Sequence, residues 1–512
     1  MGYSDKFSVY PGETIEFKVS DAVQKTYDAK LVRIIHGDTS PQGPGYKDEK
    51  ISSTFEGTYN GKFQPINSGS YCYVPNGGKC NHLASMTFQA NIWPTTPEKG
   101  LQIIFSMEEK DKPKYVLGIN GDGKVFFGKT NGEKVTEIVS GSKVLPREWY
   151  FVSLSYSSET NEISLNQVPQ TDYALTPHSA SVTKKSTEKI SIESPNFVFA
   201  AKSADNKKTD FYNGKIDSPR VSKIPLTLSD SFRLNSNQIP SSLLSSLVGA
   251  WDFSKGMESQ KVHDISPNRM DGYTSQMPAR AMKGFNWSGN EMNWRHAPEE
   301  YGAIHFHDDD LYDAGWSTDF TFTIPKNLKS GWYAAHLTTE KDEEFIPFVV
   351  KSEQGNRKAK TVFCVPIASY LAYANEHMMT DAPLAEHLTD QVVTMNNTDV
   401  FLHEHREYGA SMYDSHSDGS GVCYSSRLRP ILTMRPKYQS WLGGKGSSLW
   451  QMNADTHITD WLESKDFDYE CISDEDLHYE GASVLEGYDV FITSTHHEYW
   501  SKEMWDALDA FK

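Results

Sequence analysis

Tyr488-Asp-Val-Phe-Ile-Thr-Ser-Thr-His-His-Glu-Tyr-Trp500 decides how the C-terminal third of this chain is read. The apolar run from Tyr488 to Thr493 reads as a buried strand. Two histidines and a glutamate follow at once, and then a helical stripe of Met504, Leu508 and Phe511. In open α/β sheets, ligands bind just beyond the carboxyl ends of parallel strands. His496, His497 and Glu498 occupy that kind of position, and their types suit a metal ligand beside a general base. A polar loop would look the same, so the reading needs partners elsewhere in the chain.

The grammar upstream agrees. Thr361-Val-Phe-Cys-Val-Pro-Ile367 is continuously apolar, as strands buried on both faces are. Asp455 to Glu463 places Ile458, Trp461 and Leu462 on one helical face. Phe467-Asp-Tyr-Glu-Cys-Ile472 reads as the next strand. Strand and helix in alternation imply a parallel sheet. We therefore expect residues 353–512 to form a parallel-sheet α/β domain of glutamine-amidotransferase-like architecture. The chain stops inside its last helix, so that domain is expected to be C-terminally incomplete. Lys351 to Lys360 is polar and reads as the linker before it.

The N-terminal two thirds read as β. Thr14-Ile-Glu-Phe-Lys-Val19 alternates, the mark of a half-buried strand, and Ala29-Lys-Leu-Val-Arg-Ile-Ile35 is a second one. So few strands are not stable alone. Phe320-Thr-Phe-Thr-Ile324, Gly331-Trp-Tyr-Ala-Ala-His336 and Phe345-Ile-Pro-Phe-Val-Val350 are expected to pair with them. That makes a small β sandwich from residues 1–54 and 286–352. Residues 55–285 would then be an insertion, which is plausible because the termini of such domains often lie close together. There, strands such as Met86–Trp93 and Trp149–Tyr156 alternate with turn signals, Asn120-Gly-Asp-Gly123 and Asn131-Gly132 among them. Such spacing suggests a sandwich. Phe211-Tyr-Asn-Gly-Lys-Ile-Asp-Ser-Pro-Arg-Val221 and Leu247-Val-Gly-Ala-Trp-Asp-Phe253 resemble late strands of concanavalin-A-like (laminin-G-like) jelly rolls. Many of those domains bind sugars or calcium. No clear ligand cluster is legible here, so structure or protein contact is the favoured role.

A chain of 512 residues exceeds one hydrophobic core, and three or four domains are expected. A net charge of -18 argues against nucleic-acid or anionic-membrane binding. The five cysteines are odd in number and form no CxxC pair, which favours free thiols in a reducing compartment. The first residues lack an apolar signal core and no run of 18 apolar residues occurs, so a cytoplasmic location is expected.

Two more segments are candidates for the sheet edge that carries His496 and Glu498. They are Ala368-Ser-Tyr-Leu-Ala-Tyr-Ala-Asn-Glu376 and Tyr408-Gly-Ala-Ser-Met-Tyr-Asp414. If both end there, Tyr373, Tyr413, His496 and Glu498 converge, although tyrosines are also common at sheet edges as amphipathic packing. His305 and His307 beside Asp308 to Asp310 look like a metal cluster, but their alternation suggests one strand face beside an acidic turn. His403 and His405 flank Glu404 in a polar stretch and read as solvated. No Gly-x-Ser-x-Gly or Gly-x-Cys-x-Gly elbow and no Gly-rich phosphate loop is present, which argues against a Ser or Cys triad and against nucleotide binding.

These and neighbouring segments carry a specific family resemblance. Ser369-Tyr-Leu-Ala-Tyr-Ala-Asn-Glu376, Tyr408-Gly-x-Ser-x-Tyr-Asp414, Tyr424-Ser-x-x-x-Arg-Pro430 and Ser494-x-His-x-Glu-Tyr499 are similar to the N,N-dimethylformamidase large (beta) subunit family. So are Leu31-Val-Arg-Ile-Ile-His-Gly-Asp38 and Gly302-Ala-Ile-His-Phe-His-Asp308. The resemblance implies an amidohydrolase that cleaves N,N-dimethylformamide to dimethylamine and formate. It implies a mononuclear Fe(III) held by Tyr373, Tyr413 and Glu498, with Tyr370 the rival to Tyr373 as first ligand. His496 aligns with a catalytic histidine, Glu498 shares the catalytic position, and His497 stands where a member of the family has proline. A small (alpha) subunit is implied as partner, in an α2β2 assembly or a higher multiple. Two alternatives stay open: the same fold acting on another small amide, and a non-catalytic carbohydrate-binding protein built on the jelly roll.

Overall fold

The structure is a computed structural model. It describes residues 1–512 except 24, 131–133, 172–177, 206, 237, 354, 382–385, 388–393 and 442–449. The Asn131-Gly132 turn lies outside the described residues. The chain divides into two compact units: residues 1–67, 312–415 and 421–512 form the first, and residues 68–311 with 416–420 the second.

The second unit is a jelly roll. Its strands form one continuous path that runs from Lys134–Lys143 through Gln102–Glu109, Tyr71–Val74, Gly214–Ser222 and Met86–Pro94 to Ala180–Lys185. Apolar residues from strands along this whole path meet in one large core. Phe88 and Phe105 stack at 4.0 Å, and Trp251 sets its edge against Phe197 and Phe199. Burial of aromatics of this size dominates the stability of such a sandwich.

In the first unit, strands from before and after the jelly roll in sequence interleave. Thr14–Val19 pairs with Gly2–Ser4 on one side and Phe320–Thr323 on the other. Thr26–His36 pairs with Gly331–Thr338, which pairs in turn with Glu343–Val350. The alternation in Thr14–Val19 buries Ile15, Phe17 and Val19, and Phe17 packs among Phe55, Phe320 and Phe348.

Next comes a three-stranded parallel sheet, with Thr361–Val365 between Tyr469–Ser473 and Val490–Ile492. The central strand is covered on both faces, as its unbroken apolar run requires. Phe363 and Val365 pack with Val32, Ile34 and Trp332 of the sandwich and with Met452 and Leu462 of the helix Gln451–Ser464. Val362 and Cys364 pack with Leu477, Leu485 and Met504 on the opposite face. One expectation for that helix fails. Trp461 is 52% exposed, while Leu462 is buried and Ile458 is partly buried against the core. The helix starts before Asp455 and buries Met452, Asp455, Thr456 and Thr459, a face that leaves Trp461 at its side. All five cysteines are free, and four are buried. Among the described residues, no helix is long and apolar enough to cross a membrane.

Candidate functional site

The carboxyl ends of the three parallel strands carry the groups picked out by the sequence. After Val365, Pro366 leads into the helix Ile367–Ala372, and Tyr373 is the residue that ends it. The Asp474 carboxylate, just after the neighbouring strand, accepts the Ala368 N–H at 3.0 Å and so fixes the start of that helix. After Ile492, the chain runs through Thr493 to Trp500 without regular structure before the helix Lys502–Phe511. Within that loop, the Glu498 N–H donates to Ser369 Oγ at 3.0 Å, which brings the Glu498 backbone against the helix that ends at Tyr373.

The third segment is fixed from below. Met412 N–H donates to Ala372 O at 2.9 Å, and Asp414 accepts from the N–H groups of Ser411 and His377 at 2.8 and 2.9 Å. The buried Arg429 guanidinium donates to the carbonyls of Tyr408, Ala410, Ala374 and Ser426. These bonds hold Tyr413, itself 42% exposed, over Tyr373, and the two rings stack at 4.4 Å and 15°.

Three oxygens meet as a result. Tyr373 Oη lies 2.9 Å from Tyr413 Oη and 2.8 Å from Glu498 Oε2, and Tyr413 Oη lies 3.4 Å from that same carboxylate oxygen. The Tyr499 hydroxyl closes on Tyr413 as a fourth. Burial raises the Tyr373 phenol above its ordinary range, and the Tyr413 hydroxyl and Glu498 carboxylate push it further the same way. Burial and the Tyr413 hydroxyl raise Tyr499 as well. With protein groups alone, Tyr373 is therefore a neutral donor to the carboxylate. A cation among these oxygens would reverse that logic and favour phenolate. Two phenols and a carboxylate are hard oxygen donors, so the set fits a hard cation such as ferric iron better than a soft one.

Tyr370 is not part of this cluster. It is buried, and its hydroxyl donates to Asp455 on the helix Gln451–Ser464. Asp455 also accepts from the N–H and hydroxyl of Thr495, at 2.7 and 2.6 Å. One buried carboxylate thus ties the Tyr370 helix to the loop that carries His496 and Glu498.

His496 is near the oxygens, with Nε2 3.5 Å from Glu498 Oε2. Its Nδ1 is buried without a hydrogen-bond partner. The ring lies 4.9 Å from Trp450 and 5.7 Å from Tyr373, centroid to centroid. His497 points elsewhere: it stacks on Trp500 at 3.8 Å, and its Nδ1 is 3.0 Å from the Thr493 hydroxyl. Tyr373 and Trp450 also line a small cavity beside Tyr370, Glu376, Met434 and Tyr438. Glu376, buried there, accepts from Trp441 Nε1 at 2.5 Å, and burial raises its carboxyl to about 7. His405 pairs with Glu407 at 2.9 Å on the surface, in keeping with a solvated role.

Asp455, Tyr499, Trp450 and Arg429 are the residues that sequence reasoning did not assign. Arg429 and Tyr499 lie inside the family-like motifs Tyr424–Pro430 and Ser494–Tyr499. Asp455 carried one faint signal, an acidic residue on the inner face of an amphipathic helix.

Residues 279–512 match the family described as N,N-dimethylformamidase beta subunit-like, C-terminal, and residues 67–230 match the concanavalin A-like lectin/glucanases superfamily. The N,N-dimethylformamidase beta subunit of Alcaligenes sp is 35% identical over 542 aligned positions, which cover 100% of this chain and 69% of that protein. The protein of the same name from Paracoccus aminophilus is 34% identical, again over 100% of this chain and 69% of its own length. Among solved structures, a heptameric SAP-like pentraxin from Limulus polyphemus aligns with a TM-score of 0.25 at 13% identity, over 42% of this chain and 84% of that one. Identity of this level along the whole sequence, together with the matched C-terminal family, shows that the chain belongs to the N,N-dimethylformamidase beta subunit family.

Proposed function

We propose that this chain is the large subunit of an amide hydrolase that cleaves N,N-dimethylformamide to dimethylamine and formate. The observation that carries the reading is the meeting of Tyr373, Tyr413 and Glu498 oxygens, drawn from three separate segments, within 3.4 Å of one another. These three would hold one ferric iron. When bound, the iron would supply Lewis acidity toward the amide carbonyl and lower the pKa of water.

The chain's own groups do the rest. Ser369 holds the Glu498 backbone, and the carboxylate accepts from the Tyr373 hydroxyl at 2.8 Å. His496 Nε2 lies 3.5 Å from that carboxylate, so it is the ring nitrogen placed to hold a proton beside the oxygens. Its role is to deliver that proton to the nitrogen of the leaving amine, because dimethylamide is too basic to depart unprotonated. A dimethylated amide offers no N–H to recognise, so selection falls to aromatic walls such as Trp450 and Tyr373. The relatives are named beta subunits, which supports assembly with a small alpha subunit, in an α2β2 complex or a higher multiple.

The test is made on the full-length complex. Formate release from N,N-dimethylformamide and about one iron per large chain are expected. Glu498→Ala should lose both, and turnover retained in that variant would sink the site assignment. Tyr373→Phe should weaken the visible phenolate-to-iron absorption, whereas Tyr370→Phe should leave it in place.

A further inference from the structure

A second cluster lies wholly within the jelly-roll unit. The strand Ala303–Phe306 pairs with Gly214–Ser222 and with Ala279–Met282. His305 and His307, two residues apart, bring their rings to 4.1 Å. The segment 416–420 belongs to this unit although it comes more than a hundred residues later, and it carries Asp418 to the two histidines. Asp418 Oδ2 is 3.4 Å from His305 Nε2 and 3.9 Å from His307 Nε2.

The hydrogen bonds around this cluster leave two polar atoms over. His307 Nδ1 faces Asp310 Oδ2 at 3.2 Å, which places its proton there, and its Nε2 lies 2.9 Å from Ser420 Oγ, whose own proton goes to Asp418 Oδ1, so an ion would take the Nε2 lone pair in place of that contact. His416 is satisfied by Asp309 at 2.7 Å, and Asp418 Oδ1 accepts from Ser420 N–H at 2.9 Å and Ser420 Oγ at 2.5 Å. His305 Nε2 and Asp418 Oδ2 have no hydrogen-bond partner, yet His305 is 3% exposed and Asp418 5%. A carboxylate oxygen and an imidazole nitrogen, both buried and facing only each other at 3.4 Å, are costly unless something binds them more closely. Their separation is long for a charge-assisted hydrogen bond. It matches the ~3.3 Å edge of a tetrahedron whose donors lie about 2.0–2.1 Å from one ion.

We propose that His305 Nε2, His307 Nε2 and Asp418 Oδ2 bind one divalent first-row transition ion, zinc by preference, with the fourth position open to water. Two neutral imidazoles and one carboxylate suit that class of ion. Asp310 stands behind His307 as the carboxylate that fixes its tautomer and orientation. The nearby Asp309 and Asp310 add negative charge that an ion would offset. The ion would clamp the segment 416–420 onto the strand 113 residues before it.

The test uses the full-length complex, stripped with a chelator and titrated with Zn(II) and separately with Co(II). One equivalent should bind, raise the Tm and give the visible bands of four-coordinate cobalt. Uptake should persist in Glu498→Ala, which keeps this site apart from the tyrosine cluster. Asp418→Asn and His305→Gln should each lose that equivalent and the Tm rise while iron content stays unchanged. No uptake by the parent chain, uptake lost in Glu498→Ala, or uptake kept in both Asp418→Asn and His305→Gln would overturn the proposal. Should those variants fail to fold, zinc-edge X-ray absorption of the parent chain decides: two imidazoles support the site, and a spectrum without histidine removes it.

Discussion

Tyr370 and Tyr373 sit on one short helix and its last residue, yet their hydroxyls go to different places. Tyr370 points inward to Asp455, and Tyr373 points to Tyr413 and Glu498. The difference follows from helical geometry, since residues three apart are close but do not share one direction. Asp455 is therefore a positioning residue: it touches no proposed reacting group but accepts three hydrogen bonds, two of them from the loop that carries His496 and Glu498. Asp455→Ala should lower kcat by roughly 100-fold, because misplacement on the ångström scale has that effect, with KM changed less. It should also cost about 1–3 kcal/mol of stability by leaving Thr495 and Tyr370 unpaired. Asp455→Asn keeps one acceptor for Thr495 and should recover much of the rate. Equal kcat in Asp455→Ala and the parent chain would mean that the loop is held by other contacts.

Elements with one dominant pattern were legible. Thr14–Val19 alternates and is half-buried, and Thr361–Val365 is apolar throughout and is buried on both faces. The helix Gln451–Ser464 was legible as a helix, but its inner face was not. Half of that face is polar, and several of its polar groups bond to other segments of the chain. Thr456 Oγ1 accepts the Gly37 N–H at 2.9 Å, and Asn453 Nδ2 donates to Tyr438 O at 2.6 Å. Apolar periodicity cannot register a face built this way, so it places Trp461 in the core and gives Asp455 no role. The contrast is measurable. Leu462→Ala should destabilise by about 2–4 kcal/mol through lost burial and the cavity left behind. Trp461→Ala should change stability by under about 1 kcal/mol, since the indole is half exposed. Denaturant midpoints of the two variants check this, and equal losses would return Trp461 to the core.

At the scale of the molecule, sequence separation sets what can be read. Tyr373 and Glu498 are 125 residues apart, and only the rule that sites form beyond strand ends, joined to a family resemblance, put them together. Nothing local announced that 416–420 would join His305 and His307. The jelly roll itself was legible, and its ends do meet: Gly69 N–H donates to Asp310 O and Ser70 N–H to His307 O, each at 2.9 Å. That unit also contains a carboxyl out of its ordinary range. Asp217, on Gly214–Ser222, is fully desolvated, and burial raises it to about 6 despite the Ser218 hydroxyl, the Phe285 N–H and the charge of Arg220. Its unfolded value is about 3.9. Between those values the folded protein keeps a proton that the unfolded chain has lost. The associated stability is thus fully present below about pH 4 and is lost as pH rises through 6, on the order of 3 kcal/mol in all. Asp217→Asn removes the titration and keeps one acceptor for Ser218, so whatever it costs in hydrogen bonding is the same at every pH. The difference in unfolding free energy between variant and parent should shift in the variant's favour by that amount from pH 4 to pH 7. The general effects of a net charge of -18 cancel in this difference. Denaturant titrations across the range test it: parallel curves would mean that Asp217 is already ionised in the fold and that its burial is compensated by its partners.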